Sequence, residues 1–319
     1  MRRREFIVGL ASAAAWPLSA RTQPASRRYR IGVLDTSARQ INANFRVFER
    51  ALRERGYVEG QNLSFEYRSA DGRNESFAAL AAELVRLEVD LIVTRGTPAA
   101  LAAKAATATL PVVMAAVGDP LAMVRGAGNL TGFGASLQGA ERKRVEILNE
   151  MLPQVARIAA LMNLSNPSRQ AEWSEIAAAA RSLGIEPQVL DTRTVADIEH
   201  SFDSASIQHA DALVVGSDTV MQTNQRNVVE LAAAHRLPAM YTFRDFVDAG
   251  GLVSYGVSLP DLYRRAAASA DKILKGARPL DLPVAPATSS ELVVNIRAAK
   301  ALGLGIPKNL LSRADAVIE

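Results

Sequence analysis

Cysteine is absent from all 319 residues. No disulfide framework, thiol nucleophile or thiolate metal site can therefore exist. Histidine is nearly absent: the three are His200, His209 and His235. All fall on helix patterns of the second half or their ends. None follows a strand, and none stands at metal-ligand spacing from another histidine or acid. Solvated or capping roles account for them, and no metal or cofactor is expected. The two tryptophans, Trp16 and Trp173, form no aromatic box. Neither a GxSxG elbow nor a Walker loop occurs, and the glycines of "GAGNLTG" (126–132) miss the dinucleotide spacing. An excess of one charge is also missing. Of the net +4, residues 1–20 carry +2 (three Arg, one Glu), which leaves +2 for the rest. That is too weak to steer a phosphate backbone, and no nucleic-acid partner is expected.

The start, "MRRREFIVGLASAAAWPLSA", has the anatomy of an export signal. Arg2 to Arg4 precede an apolar run from Phe6 to Ala15, then Pro17 and small residues, and the run is too short for a permanent anchor. "RREFI" also fits a twin-arginine pattern, so folded export and ordinary secretion both stay open. Cleavage is expected after Ala20. Without a cysteine there is no residue for a lipid anchor, so the expected product is free in the periplasm.

What remains alternates strand and helix patterns. The first series runs "YRIGVLD", "NANFRVFERALRERGY", "NLSFEYRSA", "ESFAALAAELVRLE", "DLIVTRG", "PAALAAKAATA" and "LPVVMAAV". Strands are short β-branched runs, and helices carry apolar residues at three- and four-residue spacing, as in Phe45, Phe48 and Leu52. A second series of similar order follows "NLTGFGAS", from "AERKRVEILNEML" and "RIAALMN" to "LPAMYTF". The expectation is an α/β fold of two doubly wound parallel-sheet lobes joined by a multi-segment hinge. The signal occupies 1–20. Lobe 1 takes 29–134 plus about 252–284, and lobe 2 takes 135–251 plus about 285–319.

In such sheets ligands bind beyond the carboxyl ends of strands, beside helix N-termini. The residues following each strand are therefore the candidates. Ser37 follows the first strand, Arg95-Gly96-Thr97-Pro98 the third, and Asp119 the fourth. In the second half Asn163, Asn166, Asp218 and Tyr241 hold matching places. Each alone reads as a helix cap or first-turn residue. Arg95 is different, because a cap needs no cation. Together they suit a small ligand with both signs of charge. Thr97, Ser37, Arg95 and helix N-termini would hold a carboxylate, and Asp119 or Asp218 an amine.

The chain resembles the ABC-transporter substrate-binding proteins of the type I periplasmic binding fold, in the branch that includes tryptophan and tyrosine receptors. The likeness rests on "MRRREFI", "RERGYVEGQNLSFEYRSADG" (53–72), "TPAALAAKAAT" (97–107), "GDP" (118–120), "GNLTG" (128–132) and "FRDFVDAGGLVSYG" (243–256). It continues through "LYRRAAASADKILKGARPLDLPV" (262–284), "ELVVNIRAAKALGLGIP" (291–307) and "LLSRADAVIE" (310–319). It implies two lobes that close on a small molecule and deliver it to a membrane permease. It also implies ligand-facing roles for Ser37, Gly96, Thr97, Asp119, Asn163, Asn166, Asp218 and Tyr241, with Tyr255 near a crossing. Arg95 stands where a smaller residue is expected, and that would favour a more acidic ligand. A sensory partner of a membrane receptor and an enzyme on the same plan are the alternatives. The enzyme is disfavoured by the missing cysteines.

Overall fold

The structure is a computed structural model and describes residues 27–319; the expected export signal at 1–20 lies outside them. Two sheets organise the chain. The first contains β1 (Tyr29–Asp35), β2 (Leu63–Ser69), β3 (Leu91–Arg95), β4 (Val112–Val117) and β5 (Leu130–Gly134). Between them run α1 (Ala43–Arg53), α2 (Phe77–Arg86), α3 (Thr97–Ala106) and α4 (Pro120–Val124). The second lobe runs α5 (Ala140–Met151), β6 (Arg157–Met162), α6 (Pro167–Ser182), β7 (Glu186–Asp191), α7 (Val195–Ile207) and β8 (Ala212–Val215). It goes on through α8 (Thr219–Thr223), α9 (Gln225–Ala234), β9 (Ala239–Tyr241), α10 (Arg244–Asp248) and β10 (Val253–Gly256). The chain then returns to the first lobe with α11 (Leu259–Leu274) and β11 (Val284–Ala285). It ends in the second with β12 (Glu291–Asn295), α12 (Ile296–Leu302), α13 (Lys308–Arg313) and β13 (Ala316–Ile318).

The first sheet has the order β11-β5-β4-β3-β1-β2 and the second β13-β12-β10-β9-β8-β6-β7. Pairing is parallel except between β10 and β12. Both sheets thus repeat one winding, in which the direction of strand order reverses between β1 and β3 and again between β6 and β8. Such reversals open a crevice at the carboxyl ends of the strands. Each sheet is covered on both faces. Phe45, Phe48 and Leu52 of α1 pack with Tyr263, Ala266 and Ala270 of α11 on one face of the first sheet. On the other face, Ala99, Ala100 and Ala103 let α3 lie close against Ala81 and Leu84 of α2. The spacing read from the sequence for α1 is the buried stripe.

Three segments cross between the lobes: 135–139, 257–258 and 286–290. The crossing expected near 252 therefore comes later. "LVSY" forms β10 inside the second sheet, beside β9 and β12, and the crossing follows Gly256. Gly250-Gly251 is the turn into β10. A Cβ on Gly251 would stand 2.5 Å from the Tyr241 ring, so that turn has to be glycine. "LTGFG", absent from the strand patterns of the sequence, forms strand β5. Among the described residues no helix is long and apolar enough to cross a membrane.

Candidate functional site

The two crevices face each other. A cavity lies between them. From the first lobe it is lined by Thr36, Arg95, Gly96, Thr97, Pro98 and Gly118. Gly96 has φ +84° and ψ 152°, a region that only glycine occupies without strain. This conformation turns the chain from β3 into α3 and sets Thr97 and Pro98 on the cavity wall. Thr97 was expected to cap its helix toward an anion. Instead its hydroxyl accepts from the Gly118 N–H at 3.1 Å and meets the Ser168 hydroxyl of the other lobe at 2.9 Å.

The second lobe supplies Asn166, Ser217, Asp218 and Thr219, and then four charges on two helices. Glu141 and Arg144 lie on α5, and Arg169 and Glu172 on α6. Each helix carries one pair at i, i+3, Glu141 with Arg144 and Arg169 with Glu172 at 2.5 Å. Arg144 is further fixed by Nε donating to the Tyr255 carbonyl at 2.8 Å. All four are buried, yet their polar atoms are not all matched. Glu141 Oε2, Glu172 Oε2, Arg169 Nε and Arg169 Nη1 have no protein partner. Asp218 behaves alike. Its Oδ1 accepts the Val220 and Met221 N–H groups at the start of α8, while Oδ2 is buried and unpaired. Burial pushes the Asp218 carboxyl up to about 6, against the opposing pull of those two N–H groups and of Arg169. Burial also raises Glu172, partly offset by Arg169. Unpaired buried polar atoms are costly, and several of them gather on this one wall.

Arg95 has another role. Its Nη2 donates to Gln222 Oε1 across the lobes at 2.6 Å, and its guanidinium lies 3.8 Å from Asp245 and 4.0 Å from Asp35. Burial lowers its pKa, but Tyr263, Asp35 and Asp245 outweigh that and raise it overall, so the cation persists. Asp35 is itself held by Asn42 and Tyr263, each at 2.9 Å, and Asp245 by Asn44 at 2.8 Å. Two carboxylates thus already stand beside Arg95, and its charge is matched within the protein. Arg95 and Gln222 also line a polar groove on their other side, so their bond is a shared wall. Together with Thr223 Oγ1 donating to the Thr36 carbonyl at 2.9 Å, these bonds hold the lobes in a closed arrangement.

Of the ten positions chosen from sequence, Arg95, Gly96, Thr97, Asn166 and Asp218 meet in this cavity. Ser37 lines the neighbouring groove instead. Asp119 is exposed and caps α4 through the Ala122 N–H at 3.0 Å. Asn163 does not line the cavity; it braces its own loop by accepting from Ser165 and stands beside the Asp218 carboxyl, whose pKa it lowers. Tyr241 points into the second lobe's core, stacked 4.9 Å from Phe246. Tyr255 reaches the site only through its carbonyl. Sequence reasoning missed Glu141, Arg144, Arg169, Glu172 and Gln222, because they lie on helices rather than at strand ends. A signal existed: Glu141 and Arg144 continue the stripe of Leu148 and Met151, and Arg169 and Glu172 that of Ile176. Charged pairs inside an apolar stripe must face something polar.

Known proteins share this fold. The tyrosine-binding protein of Clostridioides difficile (strain R20291) is 24% identical over 81% of this chain and 75% of its own length. The crystal structure of a conserved domain protein from Vibrio cholerae has a TM-score of 0.83 at 25% identity, covering 91% of this chain and all of that one. The ABC domain from Streptococcus pneumonia in complex with L-Trp gives 0.80 at 26% identity, over 91% of this chain and all of that one. Both sheets are thus those of type I periplasmic binding proteins. The family model for ABC transporter substrate binding proteins matches residues 37–318, and the chain belongs to that family.

Proposed function

We propose that this protein is an exported receptor that closes its lobes on a small zwitterion of the amino-acid type and presents it to an ABC permease. The observation that carries this reading is the buried polar wall of the interlobe cavity. Asp218 Oδ2 is an acceptor suited to an ammonium group, and Arg169 Nε and Nη1 are donors suited to a carboxylate. The first turn of α3, which has no side-chain cap, adds further favourable potential for the carboxylate. Two relatives are named for tyrosine and L-Trp, which supports an amino-acid scaffold. The export pattern at residues 1–20 and the family membership support periplasmic work beside a permease.

Closure follows from the geometry. Only when the lobes meet can a ligand touch α3 and Asp218 at once, so a bound ligand shifts the equilibrium to the closed form. Micromolar affinity needs about 8 kcal/mol, within reach of a few charge-assisted hydrogen bonds plus burial. Binding rather than turnover is the role assigned. Two measurements test it together. A thermal-shift screen of amino acids should raise the melting point, since ligand at a hundredfold its Kd adds about 2.7 kcal/mol. A deletion strain should lose uptake of whichever amino acid scores. A hit with normal uptake in the deletion strain would refute the transport part and favour a sensory role.

A further inference from the structure

We infer that the ligand carries a second positive group, an ammonium or guanidinium on its side chain, received by Glu141 and Glu172. This rests on the cleft reading above and deepens it. Three carboxylate oxygens on the cavity wall are buried and unpaired: Asp218 Oδ2, Glu141 Oε2 and Glu172 Oε2. On this wall the unpaired buried nitrogens belong to one residue, Arg169. A ligand carboxylate at Arg169 and an ammonium at Asp218 use one side of this balance and only one of the three acceptors. Glu141 and Glu172 still face the cavity with open oxygens. Each is already held by its own arginine through the other oxygen, so neither is free to turn to solvent.

The wall is also poorly suited to an aromatic side chain. Phe243 is the one aromatic among the lining residues, and the α5 and α6 side is made of four ionic groups. An indole or phenol ring laid there would bring a single donor to two buried oxygens and no positive charge to match them, a mismatch that sites discriminate against. A guanidinium brings five donors in a planar fork and an ammonium three. Either answers the two open glutamate oxygens. The charge at Arg95 does not reverse this balance, because Asp35 and Asp245 already stand beside it. Burial, and the neighbouring Glu141, raise the Glu172 pKa even with Arg169 and Arg144 pulling it down, so the two glutamates crowd each other on this wall.

The test is calorimetric titration of the purified full chain with L-arginine, L-lysine, L-citrulline, L-tryptophan, L-tyrosine and L-glutamate. L-Citrulline keeps the shape of L-arginine and removes its charge. L-Arginine or L-lysine should bind at least tenfold more tightly than L-citrulline and the two aromatic amino acids. Glu172→Gln and Glu141→Gln should each erase most of that preference. Melting curves of the variants show whether they are folded, and the wild-type preference needs no variant. Equal binding of L-arginine and L-citrulline would overturn the proposal, with water filling the glutamate side instead. Tight binding of L-tryptophan or L-tyrosine, lost in Asp218→Asn, would overturn it while leaving the cleft receptor intact. No binding by any of the six would overturn both.

Discussion

Adding one methyl group at Gly118 should hold the lobes apart without unfolding either. A Cβ there would stand 2.6 Å from Ser168 Oγ and 3.0 Å from Ser168 Cβ, on the opposite lobe, and 3.2 Å from Thr97 Oγ1. The serine hydroxyl could rotate away, but its Cβ belongs to the first turn of α6 and cannot. Gly118 lacks a positive φ, so alanine suits the backbone itself. The clash exists only when the lobes meet. Overpacking of this kind costs about 1–3 kcal/mol, which converts to roughly 5- to 150-fold in affinity. Gly118→Ala should therefore weaken the tightest-binding amino acid by that factor while the melting point of the ligand-free protein hardly moves. Calorimetry gives the first quantity and a melting curve the second. Ser168→Gly in the same chain should restore much of the affinity, although it also removes the Thr97 contact. Unchanged affinity in Gly118→Ala, or an equal loss in the rescued double variant, would refute closure at this contact.

Other positions carry distinct expectations. Gly96→Ala forces a side chain into a glycine-only conformation, and a loss of about 1–3 kcal/mol in stability should appear in denaturant titration. Arg95→Met leaves Asp35 and Asp245 without their cation. Stability should fall by about 3–5 kcal/mol while the order of ligand preference is kept; a switch in preference would mean that Arg95 selects ligands after all. Asp218 sets a pH dependence. Its carboxyl rises from the usual 3.8 to about 6 on burial, so between these values the folded protein binds more protons than the unfolded chain. Ligand-free stability should then fall as pH rises through that window, by about 3 kcal/mol at 1.36 kcal/mol per unit. Asp218→Asn should remove this share of the slope, leaving that of Glu172, which burial also raises, and should raise the melting point at neutral pH.

The fold was legible because its strands are short β-branched runs and its helices keep a three- to four-residue apolar stripe. The α1 stripe of Phe45, Phe48 and Leu52 is buried as its spacing requires. The lobe boundary was less legible, since Gly250-Gly251 marks a turn inside the second lobe and nothing local tells a hinge from a loop. The site was half legible. Thr97 and Asp218 follow strands whose ends must meet in a doubly wound sheet. Tyr241 also ends a strand, but "AMY" is buried throughout, so no alternation reveals which way the ring points. Arg169 and Glu172 sit in the first two turns of α6, and only three-dimensional packing shows which helix faces the other lobe. Arg95 was noticed for its charge, whereas its partners, Gln222 and Asp245, are more than a hundred residues away in sequence.

The central claim is that one small molecule is held between the lobes against Asp218. Calorimetric titration of wild type and Asp218→Asn with the same amino-acid panel tests it most directly. The account predicts one molecule bound per chain in the wild type, with affinity reduced at least a hundredfold in Asp218→Asn, whose melting curve stays cooperative. Equal binding by the two proteins would contradict it.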